Sequence, residues 1–305
     1  MAQCWTTLAL ILLLAAPVAA RAADLAKLAS CPGPAQGQVE TQKGMFQTHL
    51  VCDRILLEIP PALLDRDLLL NTEFVALSAG GDYTAPGALV YNRVVRFQRI
   101  RSKVHLVSLR FEVSARDTPR LQQAVKAAQL PMVLMSFDIL AAGQDDAPII
   151  DLTPLFVSDA PEGIGLGFKK YFGMHVIDPK RSYIDRVKVF SNNVRVYYYQ
   201  TWKADPKKVM ETLLPEQPSL ETSAGFLFAA NFLLLPERPM RPRYWDARVG
   251  YYSRDFQEYG PAQPSGVSRG FIERYRLVKK DRSAAVSEPI TPIVFYIGRE
   301  VPDQW

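Results

Sequence analysis

The chain has 305 residues, 48% of them hydrophobic and 22% charged, with a formal net charge of +5. That length and composition fit one large or two ordinary globular domains and exclude a chain disordered over most of its length. The charge is too mild to imply a polyanionic partner by itself.

The first residues read as an export signal. Leu8–Ala20 is an apolar run shorter than a membrane span. Ala20-Arg21-Ala22 behind it has the small-residue spacing of a cleavage site, although no Lys or Arg precedes the run. Residues 1–22 are expected to be removed as a signal peptide. The mature chain, with a net charge of +4, is then periplasmic or extracellular and has no stable membrane span. Cys4 leaves with the signal, so Cys31 and Cys52 remain. In an oxidising compartment they either form a disulfide or stay as two small unpaired residues. Leu28-Ala29-Ser30-Cys31 also spells a lipobox, but Arg21, Asp24 and Lys27 separate it from the apolar run, so a plain tether is the better reading.

Residues 23–44, with Pro32, Gly33, Pro34 and Gly37, read as that flexible tether. From Met45 the pattern turns strand-like. Met45–Val51 and Arg54–Ile59 flank Cys52-Asp53 as a hairpin, and Pro60-Pro61 stops the second strand. A helical turn over 62–66 leads into a strand over 67–77. Two long strands follow, 89–100 and 103–113. In the second, His105, Val107, Leu109, Phe111 and Val113 share one face, a period of two that argues a half-buried antiparallel sheet. Thr118-Pro119 opens a helix that puts Leu121, Ala124, Val125 and Ala128 on one side. Strands over 131–140 and 149–152 and a helical turn at Thr153-Pro154 come next. Residues 158–180 read as loop, and then strands return over 187–190, 194–201, 225–235, 248–256 and 270–279. Residues 261–268 read as loop and Ile293–Ile297 as a buried strand. The fold class is mainly β, a β-rich α+β chain of antiparallel sheets with two or three short helices.

The chemistry of hydrolases and metal sites is absent from the motifs. His49, His105 and His175 stand far apart, and there is no H-E-x-x-H, C-x-x-C or G-x-S-x-G. His105, on an apolar face, is expected to be a packed core histidine. Gly163–Lys170 lacks the spacing of a phosphate loop and reads as a surface loop. No catalytic and no metal-ligating residue is assigned.

The unusual stretch lies between Arg238 and Arg282, where 11 Lys or Arg meet 5 acids. Eight aromatics are interleaved: Tyr244, Trp245, Tyr251, Tyr252, Phe256, Tyr259, Phe271 and Tyr275. Three readings compete. Basic plus aromatic residues can bind single-stranded nucleic acid, or cover an ordinary sheet, or form a domain interface where Arg is favoured. An exported chain seldom meets nucleic acid, so the interface reading leads. Its residues would be Arg238, Arg241, Arg243, Tyr244, Trp245, Arg248, Tyr251, Tyr252, Arg274, Tyr275 and Arg276.

Here the sequence resembles a known family. LPERPMRPRYWDARVGYYS (235–253), RYRLVKKD (274–281) and SEPITPIVFYI (287–297) are similar to the region just before the catalytic domain of large bacterial secreted zinc-dependent metalloproteases. GMFQTHL, RILLEIPPALLDRDLLL, VVRFQRIRSKVHL, DLTPLF and RSYIDRVKVFSNNVRV fit in order, so the resemblance runs from about Gly44 to Trp305. It implies that the strand over Pro292–Ile297 leads into a zincin-type domain carrying H-E-x-x-H. The chain stops where the first catalytic helix would begin. The expected organisation is therefore a β-rich domain over 45–290 and the truncated start of a metalloprotease domain over 291–305. Zinc, the only cofactor implied, would belong to the missing catalytic domain, the principal expected partner, with a peptide or protein substrate as another. The family's metal ligands have no counterpart to carry over. The competing readings are a free-standing exported binding protein for peptide or glycan, and a self-sufficient enzyme whose groups only the fold assembles.

Overall fold

A computed structural model describes residues 25, 27, 39–78, 87–116, 118–159, 169–170, 173–205, 223–261 and 263–297. In chain order the elements begin with β1 (Val39–Lys43), β2 (Gln47–Val51), β3 (Arg54–Glu58), β4 (Leu68–Leu77), β5 (Leu89–Ile100), β6 (Lys103–Ser108) and β7 (Val113–Ala115). Then come α1 (Pro119–Ala128), β8 (Met132–Ala142), β9 (Pro148–Asp151), α2 (Pro154–Val157), β10 (Met174–Ile177) and β11 (Tyr183–Val189). The last are β12 (Asn193–Ala204), β13 (Ser223–Leu234), β14 (Ser253–Gly260) and β15 (Gln263–Ile272). Short 3-10 turns complete a strand-rich fold whose strand pairs are antiparallel except β7 with β14. Among the described residues no helix is long and apolar enough to cross a membrane. The expected mainly β class is what the structure shows.

The chain divides into two compact units. Unit 1 comprises Met1–Arg110 and Leu130–Glu237, and unit 2 comprises Phe111–Gln129 and Arg238–Trp305.

Unit 1 is a twelve-stranded sheet in the order β1-β2-β3-β9-β8-β6-β5-β4-β13-β12-β10, with β11 also on β12. Along β4 buried and half-buried positions alternate, as the pleat dictates, whereas β3 and β9 are buried at consecutive positions. Leu68, Leu70 and Phe74 of β4 meet Phe226, Phe228 and Phe232 of β13 and Val196, Tyr198 and Trp202 of β12 in one continuous core. The Phe228 ring lies 5.3 Å from Phe74, 5.5 Å from Tyr198 and 5.7 Å from Phe226. Two buried polar side chains there are paired: Trp202 Nε1 donates to Gln200 Oε1 at 3.0 Å, and the Gln200 amide donates to the Phe156 carbonyl. Burial pushes the Tyr198 hydroxyl well above its ordinary pKa, with a hydrogen bond from the Thr72 side chain acting the other way. The sheet curls until its ends meet. Met45 N–H donates to the Phe190 carbonyl at 2.7 Å. The Gln42 side chain donates to the Val187 carbonyl at 2.9 Å and accepts from the Val189 N–H at 3.2 Å.

Unit 2 is a three-stranded sheet, β15-β14-β7, with α1 packed on β7. Pro119 starts α1 as expected, but Thr118 offers no side-chain cap. Leu121 and Val125 are half-buried while Ala124 and Ala128 are exposed. Among its described residues no hydrophobic side chain is buried.

Several expectations need correction. Val39–Lys43, read as tether, is a strand pairing with β2. The strand expected over 103–113 ends at Ser108, and Val113–Ala115 belongs to the other sheet. Both faces of that segment are apolar enough to fit a period of two. The register Phe97↔Leu106 and Val104↔Phe137 turns Val104 and Leu106 inward. His105 therefore lies on the other face, partly exposed, with Nδ1 2.6 Å from Ser136 Oγ, and is not a core histidine. β10 lies inside the expected loop over 158–180; the Gly163–Lys170 loop falls largely outside the described residues. Residues 263–268, also expected as loop, are strand, because β14 and β15 form a hairpin in which Gly266 supplies a positive φ. Ile293–Ile297 is neither strand nor buried: it is irregular, and Phe295 and Tyr296 are 80% and 94% exposed. Pro289 and Pro292 precede it, and no described strand pairs with it.

Candidate interaction ribbon

The basic, aromatic stretch folds into a ribbon held by backbone hydrogen bonds within unit 2. Residues 243–245 lie beside the end of β15: Trp245 N–H donates to the Gly270 carbonyl at 2.7 Å and Ile272 N–H to the Arg243 carbonyl at 3.0 Å. Glu273 N–H donates to the Tyr252 carbonyl at 2.8 Å, and Trp245 Nε1 to the Tyr251 carbonyl at 3.0 Å. Further on, Ile290 N–H donates to the Val278 carbonyl at 2.8 Å and Lys280 N–H to the Glu288 carbonyl at 2.8 Å. Segment 270–280 is thus a spine with 238–245 along one stretch and 288–290 along the next.

Arginines extend the same scheme. Arg274 donates through Nη2 to the Arg241 carbonyl at 2.9 Å, and Arg276 through Nη1 to the Arg238 carbonyl at 3.0 Å. Their charges meet no carboxylate among the described residues. Arg248 is spent differently: its guanidinium forks onto Asp246 at 2.9 and 2.6 Å and its N–H also reaches that carboxylate. The Arg248 side-chain bond, then its backbone bond, holds the Asp246 carboxyl down at about 2. Arg238, Arg241 and Arg243 have no side-chain hydrogen bond or ion pair among the described residues. All eleven residues named from the sequence therefore lie on this ribbon. Tyr244, Trp245, Tyr251, Tyr252 and Tyr275 are exposed, Tyr252 at 87%.

One member of the neighbourhood had no sequence signal. Glu258 is only 7% exposed. It forms an ion pair with Arg116 Nε at 2.6 Å and accepts from Tyr244 Oη at 3.3 Å, with Arg269 Nε 3.5 Å away. Arg116 and Arg269 also lie over the Tyr244 ring, so this carboxylate ties β7, β14, β15 and the ribbon together. Its partners are far apart in sequence, and Glu258 looks like any strand glutamate.

Unit 1 holds a second polar cluster that the motifs missed. His49 and Glu58 are buried; His49 Nδ1 lies 2.9 Å from Thr41 Oγ1, and Nε2 lies 3.5 Å from Glu58 Oε2. Glu58 also accepts from the Gln144 N–H at 2.8 Å. Gly143 makes room, since a Cβ there would fall 2.2 Å from Glu58 Oε1. The cluster joins β1, β2, β3 and the β8–β9 turn. Cys52, in the β2–β3 turn, is disulfide-bonded, and its expected partner Cys31 lies outside the described residues. Among the described residues no group of three or more His, Cys, Asp or Glu could hold a metal ion.

Residues 35–76 match a family model described as Domain of unknown function (DUF5118). No curated protein and no solved structure matches the chain. A second model, Domain of unknown function (DUF5117), matches residues 87–280, from β5 through the ribbon, and the chain belongs to that family.

Proposed function

We propose that the chain is a non-catalytic, β-rich N-terminal module of an exported bacterial zinc-dependent metalloprotease, and that unit 2 is its docking element for the catalytic domain. One observation carries the reading. Unit 2 builds a sheet and a helix yet buries no hydrophobic side chain among its described residues, while it holds 15 of the 23 large hydrophobics exposed among the described residues of the chain. A sheet is stable when a second layer covers its apolar face, and an exposed apolar surface of this kind marks an interaction site. The resemblance of 235–253, 274–281 and 287–297 to the region preceding a zincin domain names the layer. On this reading zinc and the peptidase chemistry belong to the catalytic partner. Export rests on Leu8–Ala22.

The test has two parts. The gene is read beyond the codon for Trp305, and the chain is co-expressed with whatever H-E-x-x-H domain lies in frame or adjacent. The expected result is a stoichiometric complex in which amides of 286–297 gain hydrogen-exchange protection. A genomic neighbourhood without such a domain, together with a monomer that cleaves or binds peptides unaided, sinks the reading.

A further inference from the structure

The cations of the ribbon specify what kind of surface it meets, an inference that rests on the docking role above. Arg248, Arg254 and Arg269 are matched by Asp246, Glu273 and Glu258 within unit 2. Arg238, Arg241 and Arg243 are matched by none of the described residues, and Arg274, Arg276 and Lys279 make their side-chain hydrogen bonds to neutral carbonyls. Exposed Tyr244, Trp245, Tyr275 and Leu277 lie along the same ribbon. We infer that the ribbon takes an acidic protein surface, whose fixed carboxylates meet Arg238, Arg241, Arg243, Arg274 and Arg276 around the exposed aromatics.

The choice of protein over a lipid surface follows from residue type and order. Of the 11 cations between Arg238 and Arg282, nine are arginines. A guanidinium offers a rigid fork that matches a carboxylate, whereas lysine is a mobile point charge. Carbonyl bonds pin Arg274 and Arg276 before any partner arrives, which lowers the ordering cost of binding a partner whose charges are themselves fixed. A fluid headgroup layer gains little from such pinning.

The probe is a fluorescent 20-residue peptide alternating Glu with Leu and Phe, titrated with the full chain by anisotropy. A scrambled Lys-for-Glu peptide and phosphatidylglycerol vesicles run alongside. Binding of the acidic peptide is expected to weaken at least tenfold between 50 and 300 mM salt, because exposed charges are screened. Arg238→Glu/Arg241→Glu/Arg243→Glu, whose side chains hold no described contact, is expected to weaken it at least tenfold with unchanged circular dichroism. Binding of vesicles alone, equal binding of the Lys peptide, or a triple variant that binds like wild type would overturn the inference. Failure to find a catalytic domain leaves this result standing, and failure here leaves a charge-independent docking role standing, so the two are separable.

Discussion

Unit 1 and unit 2 are both antiparallel-rich β structure, but they solve the burial problem in opposite ways. Unit 1 packs Phe46, Phe97, Trp202, Phe226, Phe228 and Phe232 into one core and pairs the buried Trp202 and Gln200 side chains within it. Unit 2 is held by backbone hydrogen bonds, by the Glu258 ion network and by half-buried Phe256 against Phe271, with most of its other aromatics exposed. Apolar burial is the largest favourable contribution to folding. Stability therefore resides in unit 1, and the exposed apolar surface of unit 2 is available for association.

The contrast is sharpest for single substitutions. Phe228→Ala in unit 1 is expected to cost about 3–5 kcal/mol, since truncation loses transfer energy and leaves a cavity; urea unfolding measures it. Cys52→Ser is expected to cost about 2–4 kcal/mol by releasing a cross-link from the unfolded chain, seen as a lower melting temperature that reductant no longer changes. Glu258→Ala, which leaves Arg116 and Arg269 without their shared carboxylate, should cost about 1–3 kcal/mol. The loss should appear as faster amide exchange in β14 and β15. Tyr252→Ser and Tyr275→Ser should each change stability by less than about 0.5 kcal/mol, as exposed positions do. A tyrosine variant as damaging as Phe228→Ala would break the comparison by revealing a core in unit 2. The smallest effect is in acid. With its carboxyl held at about 2, Asp246 keeps its charge far below the ordinary 3.8. Its contribution is present above 3.8 and is lost as pH falls towards 2. Carboxyl chemical shifts should show that midpoint, and Arg248→Ala should return it upward.

Much of unit 1 was legible because its strands are long and their inward residues strongly apolar. Leu89–Ile100 has the bounds read from the pattern, and β3 and β4 differ by a residue at an end. Short or polar segments were not legible. Met174–Ile177 is four residues beside a glycine-rich stretch, and Gln263–Ile272 carries Pro264 and Gly266, residues that ordinarily mark turns. The ribbon was visible as composition, from Arg interleaved with Tyr and Trp. Its construction was not. The bonds from Arg274 and Arg276 span 33 and 38 positions and end on carbonyls, which every residue has. The His49–Glu58 pair was hidden for a related reason: β2 and β3 bring it together, but its burial depends on packing that no local pattern records.

The meeting of the two sheet ends carries a consequence for ageing. Gln42 imitates a stretch of peptide backbone, giving one N–H to Val187 and taking one from Val189. Deamidation to glutamate would replace the donor with a second oxygen facing the Val187 carbonyl, and one atom's change would weaken the seam to its Val189 and Met45–Phe190 bonds. Slow chemical damage would then loosen unit 1 first at that edge while the aromatic interior is still intact.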